Sequence, residues 1–559
     1  MKKTILTGAS ILALSMAAPA FGQSNESLVD QNGNDLTANV TQSGADNDSD
    51  VNQSGEYNEA TVNQSGTNGV STVNQSGIGL APNNNNNGPN RVEVTQQGDS
   101  AESVVTQLDT GPGDGFNDVE VFQDGDSFSS VVQSGTRQDA EVSQVGDLNE
   151  SYVNQRGNSN NVGNDIFGPV VTGVQQTGDR NYANVDQDPA TFANAFVRQF
   201  GDDNAANVIQ ESNNGSGANR TIADLDQIGN GNDSLVNQSS AFNPASQSAR
   251  VLQTGDTNDS DLFQSGRDND ASVNQDGTSN VSMLTQRGEL ASADISQEGR
   301  GNSSNATQGA ANRLTGSQTF ILSQDGTDNV STLMQAGSEN TANVSQLGDR
   351  NNSWVNQPGL DNNAGDLMTV GVSQVGDDNI SNVTQSVNFG VVDVEQVGDR
   401  LTSNITQSGR ANFASATVRQ GGEDNVSHIN QIGPVPAPGT PGVPSGNQTA
   451  SVTQGGSSNM STINQDGNPD DSVAPSANDA TVNQYGISGE STITQFGDLN
   501  VASLEQAGTD NISFITQTGG SNTAAVGQDG MNQMSTITQS GDGNSATVSQ
   551  GGLAAPMLP

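Results

Sequence analysis

The chain has 559 residues, a formal net charge of −46 and no cysteine. Apolar residues make up 30% and aromatics 4%, too few to fill several conventional cores. The acidity excludes a phosphate-binding surface for nucleic acid and disfavours anionic membranes, and without cysteine there is neither a disulfide nor a thiolate metal site.

The first segment, residues 1–22, reads as a secretory signal peptide. Lys2 and Lys3 form a basic start, Ile5 to Ala18 an apolar run, and Ala18-Pro19-Ala20-Phe21-Gly22 a small-residue cleavage region. Cleavage is expected after Gly22, with Ala20 as second choice. The apolar run is too short for a membrane span, so the mature protein is expected to be exported and not membrane-embedded.

From residue 23 to 551 one phrase recurs, N-x-[S/A]-x-[V/I/L]-x-Q-x-G. Its Gln returns every eleven residues, as at Gln42, Gln53, Gln64 and Gln75, at Gln264, Gln275, Gln286 and Gln297, and at Gln484, Gln495, Gln506, Gln517, Gln528, Gln539 and Gln550. Such a composition alone suits disorder, but a disordered tract has no reason to keep apolar residues in phase. A repeat this short folds only by stacking on copies of itself.

Within a unit the alternation has period two. Asn58, Ala60, Val62 and Gln64 share one face; Glu59, Thr61, Asn63 and Ser65 share the other. That pattern is a strand with one buried and one wet face. Asn500 with Gln506 and Asn511 with Gln517 repeat the inward set. The Gly two residues after each Gln, as at Gly66, Gly277, Gly497 and Gly508, is turn chemistry, because Gly tolerates positive φ and the following Asp or Asn can bond nearby backbone. Buried amides need partners, and a parallel in-register stack sets each beside its own kind at about 4.8 Å. The expected fold is therefore all-β: a parallel β-solenoid with two short strands per coil of about 22 residues.

Insertions break the spacing after Gln75, Gln107, Gln155, Gln210, Gln238, Gln308, Gln357, Gln407, Gln431 and Gln465. The marker glutamines between successive breaks number 2, 4, 4, 2, 6, 4, 4, 2 and 2, all even. Insertions that respect a two-strand unit must leave the coil from one edge. Loops are expected near 78–91, 109–118, 157–172, 212–222, 240–248, 310–318, 359–369, 433–449 and 467–479, with a short tail at 552–559. The Asn83–Asn87 run and the prolines from Pro434 to Pro444 fall in such loops, the latter as a hinge. A one-residue deletion between Gln123 and Gln133 departs from the even rule. Counting Gln31, 42 markers give about 21 coils and a rod of about 100 Å.

The run from Ser491 to Gln528 repeats Q-x-G-x-x-N-x-[A/S]-x3-Q, and the half-units Ala60, Gln64, Gly66 and Ser71, Gln75, Gly77 keep its [A/S]-x3-Q-x-G part. The S-x5-Q spacing that heads the full phrase S-x5-Q-x-G-x-x-N-x-[A/S]-x3-Q is not kept, as at Ser331-x5-Gly337. This resembles the curlin repeat of bacterial curli subunits, over nearly all of the chain after Ser27. The resemblance implies export across both Gram-negative membranes by the outer-membrane curli secretion machinery. It also implies self-association or assembly with related curli subunits into extracellular amyloid fibres, and roles in biofilm matrix and adhesion to host or abiotic surfaces.

Catalysis is not expected. His428, the only histidine, falls on the outward face, and the serines have no base to activate them. No cofactor is expected; the acidic turns Asp202-Asp203-Asn204 and Asp377-Asp378-Asn379 serve solubility and turn formation first, weak calcium binding second. Outward Thr72, Thr462 and Thr492 raise an ice-binding alternative, but Trp354, Tyr152, Phe514, Glu59 and His428 at the same position interrupt any flat threonine ladder. A non-polymerising adhesin rod is the other alternative. Both rod ends are expected to expose unpaired strand edges.

Overall fold

The computed structural model describes residues 24–552, apart from 79–88, 109–116, 159–160, 163–172, 213–220, 241–245, 310–316, 338, 359–368, 388, 410–413, 434–447 and 468–476. The signal peptide, the Asn83–Asn87 run, the Pro434–Pro444 hinge and all of the tail beyond residue 552 lie outside the described residues.

Each inward-facing half-unit forms a short strand, and the strands alternate between two parallel sheets. Sheet I has 21 strands, from Glu26–Asn34 to Met534–Ser540. Sheet II runs beside it from Thr37–Gln42 to Ser545–Gln550. Pairing is parallel and mostly in register at one coil, so Glu26 lies opposite Asp48, Gln31 opposite Gln53, and Gln506 opposite Gln528. The molecule is the expected two-stranded parallel solenoid.

The core is the thin slab between the sheets. One inward column is branched in both sheets at every coil but that of Ala306, as in Val51, Val62, Val73 and Ile463, each fully buried. The inward column two residues earlier separates the sheets. On sheet I it is mostly serine (Ser49, Ser71, Ser103), and on sheet II mostly alanine (Ala60, Ala249, Ala271). The period of eleven makes the half-units look equivalent; their small inward residue shows that they are not.

Glycine is required where neighbouring turns stack. Gly508 has φ +98°, and a Cβ there would lie 2.0 Å from the carbonyl oxygen of Gly530. At Gly277 (φ +124°) the corresponding gap is 1.9 Å to Gly299. Many strands run through this glycine instead of ending before it, for example Asn269–Thr278 and Val501–Thr509. The sharp left-handed step comes two residues later, at Asp203, Leu290, Asp378, Leu499 and Asp510, with φ near 57°. Among the described residues that position carries no valine or isoleucine and a single β-branched residue, Thr257, as β-branched side chains are disfavoured there.

Nine of the predicted insertions fall between a strand of sheet I and the next strand of sheet II, the edge implied by the even counts. The one expected near 157–172 is placed differently. Asn161–Val162 and Val174–Thr177 together make one rung of sheet II, both pairing Asp139–Val145, so that interruption falls within a strand. The deletion between Gln123 and Gln133 also has a physical account. It shortens a turn from sheet II to sheet I, and Ser127 fills the inward corner. Its hydroxyl donates to the Gly146 carbonyl (2.9 Å), where other corners use an Asn amide.

Candidate functional site: amide ladders and open strand edges

Every marker glutamine from Gln31 to Gln528 points between the sheets and pairs with its counterpart one coil on. Nε2 donates to the next Oε1 from Gln42 to Gln64 (2.9 Å), Gln53 to Gln75 (2.7 Å), Gln264 to Gln286 (2.9 Å) and Gln275 to Gln297 (2.9 Å). The same bond joins Gln484 to Gln506 (2.8 Å), Gln495 to Gln517 (3.0 Å), Gln517 to Gln539 (2.9 Å) and Gln528 to Gln550 (2.7 Å). The other Nε2 proton crosses the slab to a carbonyl of the facing strand, as from Gln64 to Asp48 (3.0 Å) and Gln539 to Thr523 (2.9 Å). One side chain thus joins successive coils and staples the two sheets, and its amide is satisfied without water.

The asparagines occupy the corners. At the turn from sheet II to sheet I they run unbroken from Asn149 to Asn379. Each Oδ1 accepts the backbone N–H of the next, as between Asn258 and Asn280 (3.1 Å), and each Nδ2 reaches a glycine carbonyl of the next coil, as from Asn280 to Gly299 (3.2 Å). Leu401 ends the run, its N–H donating to Asn379 Oδ1 at 2.9 Å. Asn511 lies at this corner, whereas Asn58 and Asn500 lie at the opposite one, where Asn500 N–H donates to Asn478 Oδ1 (3.1 Å). At that corner the buried position also holds Thr221, Gln247, Ala291, Gln318, Ala414 and Gln448. Of the glycine markers, Gly497 stacks on Gly519, and Gly66 on Gly98 with 1.8 Å to a hypothetical Cβ.

The acidic turns are part of the stack. Asp202 Oδ1 accepts the Asp179 N–H, and Asp377 Oδ1 the Asp349 N–H, both at 2.9 Å. Asp203 is held by the Arg180 guanidinium (2.7 and 2.9 Å), and Asp378 by Arg350 at the same distances. Arg400 then bonds Asp424 (2.7 Å), so one column alternates Arg350, Asp378, Arg400, Asp424. Those guanidinium hydrogen bonds hold Asp203, Asp378 and Asp424 below the usual carboxylate range. Carboxylates on the strand faces behave oppositely: burial pushes Asp118, Glu141, Asp226, Asp259 and Asp261 upward, with neighbouring acids adding to it. Among the described residues no group of three or more metal-ligating side chains is placed to hold an ion.

His428 is half-buried on the outward face beside Asn404 (3.2 Å). Tyr152, one of the residues that interrupt the outward threonines, packs between Phe128 and Tyr182, with ring centroids 5.4 and 5.8 Å apart. That cluster could have been read from the sequence only once the coil register was known.

At each end the last strands pair only on their inner side and lack an outer partner among the described residues. Glu26–Asn34 is exposed along its whole length, and Ala38, Val40, Ala546 and Val548 cover the core only partly. The ladder is polar. The first coil presents the Oε1 atoms of Gln31 and Gln42, each donating onward but receiving nothing from another glutamine, and the last presents the amides of Gln539 and Gln550.

The family model of the curlin associated repeat matches residues 248–277, 321–348, 490–519 and 514–541. These four segments of the chain are curlin associated repeats. Each matched segment covers neighbouring strands of both sheets; 490–519, for example, holds Glu490–Phe496, Val501–Thr509 and Ile512–Thr518. No curated protein matches the chain. Curlin repeats on a β-solenoid fit a structural, curli-like protein rather than an enzyme.

Proposed function

We propose that this protein is a secreted structural subunit that stacks end to end through its open strand edges into extracellular amyloid fibres, supporting adhesion and biofilm formation. One observation carries the reading: the final coil is a register match for the first. Set one coil beyond Met534–Gln550, the next copy's Ser27, Val29 and Gln31 would follow Ser535, Ile537 and Gln539, and its Ala38, Val40 and Gln42 would follow Ala546, Val548 and Gln550. The donors of one end would face the acceptors of the other, so the contact is head to tail and does not close. Unpaired parallel edges template such additions. Related curli subunits and the outer-membrane curli secretion machinery are the proposed partners. Export by the signal peptide, and weak calcium binding that eases repulsion between acidic turns, belong to the same proposal.

The test is a dye-binding time course with electron microscopy on the purified mature chain. Fibres whose growth is accelerated by preformed fibre seeds are expected. A rod that stays monomeric at high concentration, with or without seeds, overturns the reading in favour of a non-polymerising adhesin.

A further inference from the structure

The outward face of sheet I changes character half-way along the rod. In the first half carboxylates recur, from Glu26 and Asp48 through Glu102, Glu150 and Asp186 to Asp259 and Asp261. From the strand Val281–Glu289 to the strand Met534–Ser540, the outward positions between corner and marker glutamine hold one carboxylate, Glu490, and one histidine, His428; the rest are Thr, Asn, Ser and apolar residues. The adjoining edge column adds Arg287 and Asp466 as rim charges. Sheet II keeps its charges over the same coils, including Asp294, Asp393, Glu395, Arg419 and Glu505. In a chain of net charge −46, a long uncharged face on one sheet alone requires an explanation.

The apolar residues on it are of a particular kind. Met283, Met334, Met460 and Met534 lie there, 43–62% exposed, with Trp354, the only tryptophan of the chain, 37% exposed. Val330 and Ile380 sit in one column on the coils either side of Trp354, and Phe514 lies further along. Loss of charge together with gain of Met and aromatics marks the centre of protein–protein interfaces. The face is a continuous parallel sheet, suited to packing against another sheet at about 10 Å. It is about 50 Å long and about 20 Å wide at sheet spacings, thus about 1,000 Å², against about 800 Å² per partner in a stable complex.

We infer that this half of sheet I is a lateral pairing surface whose partner is a second copy of the same chain, the two rods packed face to face through the same patch. Charge selects the occupant. Two copies repel through sheet II and the first half of sheet I, and this face is where they approach without bringing carboxylates together. A shared patch gives a twofold contact that closes at two rods, distinct from the open contact at the rod ends. Pairing does not rest on end-to-end growth, and it strengthens with salt as residual repulsion is screened.

The experiment compares the full mature chain with Thr332→Asp/Thr384→Asp/Thr406→Asp on this face and with Ser345→Asp/Ser373→Asp/Thr417→Asp on the outward face of sheet II. Outward Asp is tolerated elsewhere on the ladder, as at Asp50 and Asp261, so both variants are expected to fold, with circular dichroism as the check. Sedimentation velocity and rod width by electron microscopy are the readouts, with seeded elongation measured separately. The wild type and the sheet II variant are expected as paired rods, and the sheet I variant as single rods, its pairing at least about tenfold weaker, with elongation unchanged. Trp354→Ala is expected to weaken pairing in the same direction. Single-width wild-type rods overturn the inference, as does a sheet I variant that stays paired. So does a soluble neutral glucan that shifts Trp354 fluorescence of unpaired wild type, which would assign the face to carbohydrate. End-to-end growth can fail in the same samples without altering these outcomes.

Discussion

The turn from sheet II to sheet I keeps one length and one inward residue from Asn149 to Asn379, whereas the turn from sheet I to sheet II carries nine insertions and a mixture of inward residues. Both are built on the same Q-x-G-x-x-N phrase. The difference lies in what the asparagine bonds to. At the uniform corner each amide bonds the backbone of the next coil, and an aspartate beside it often accepts a neighbouring N–H, as Asp256 Oδ1 does from Asn230 (3.0 Å). A longer turn removes a member from several ladders at once. At the other corner Thr221, Gln247, Gln318, Ala414 and Gln448 each follow an insertion, so the ladder is already interrupted there. The added loop then costs little beyond closure, about 0.6 kcal/mol per doubling of length. After the last insertion the asparagine ladder returns at this corner too, through Asn478, Asn500, Asn522 and Asn544.

The strongest test of that contrast is a matched pair of insertions. Gly-Ser-Gly-Ser placed between Asp256 and Thr257, at the uniform corner, is expected to break the stack locally and lower the thermal midpoint severely. The same four residues between Arg267 and Asp268, at the decorated corner, are expected to leave it nearly unchanged. Equal losses at both sites would show that the corners do not differ in tolerance.

A smaller effect is expected from removing single amides. Asn280→Ala orphans the Asn302 N–H and the Gly299 carbonyl in the middle of an unbroken run, with a cost of about 2–3 kcal/mol. Asn269→Ala at the other corner removes bonds to the Ser265 carbonyl and the Ala291 N–H. It lies between Gln247 and Ala291 instead of between asparagines, and about 1 kcal/mol is expected. Denaturant titration of both variants measures the difference, and equal costs would remove the cooperative part of the account.

Acidification separates corner from face most gently. Asp203, Asp378 and Asp424 at the uniform corner have depressed values through their arginine partners. Their contribution is present above the unfolded-state value, near 4, and is lost as pH falls through the lower folded value. Asp118, Glu141, Asp226, Asp259 and Asp261 on the faces are raised by burial. Their contribution is fully present below the unfolded value and is lost as pH rises through the folded one. The corner pairs are exposed and weak, so the faces dominate. The thermal midpoint is expected to rise by a few degrees between pH 7 and about pH 4.5, then fall at lower pH; a midpoint that drops steadily from neutrality would reverse the assignment.

Much of the architecture was legible without coordinates. The eleven-residue Gln, the alternation Asn58-Ala60-Val62-Gln64 and the even counts between insertions together imply a two-strand coil with its loops along one edge. A period records backbone geometry directly, and a core this thin leaves only one face to bury. The details that escaped depend on contacts between coils. The Ser and Ala columns merge into one symbol when half-units are averaged. Ser127 replaces an asparagine only because its hydroxyl meets the Gly146 carbonyl of the next coil. Tyr152 looks solitary until Phe128 and Tyr182 are brought beside it from 24 residues earlier and 30 later.

By itself, then, the sequence determined the strand, the turn and their stacking, because those follow from spacing and from the need of buried amides for partners. The tertiary structure decided which corner is rigid, the direction of the amide ladder and therefore which atoms face outward at each end, and the uncharged half of sheet I. Each of these is set by side chains about 22 residues or more apart in the chain that become neighbours about 4.8 Å apart in the stack, and no local pattern within one repeat carries that information.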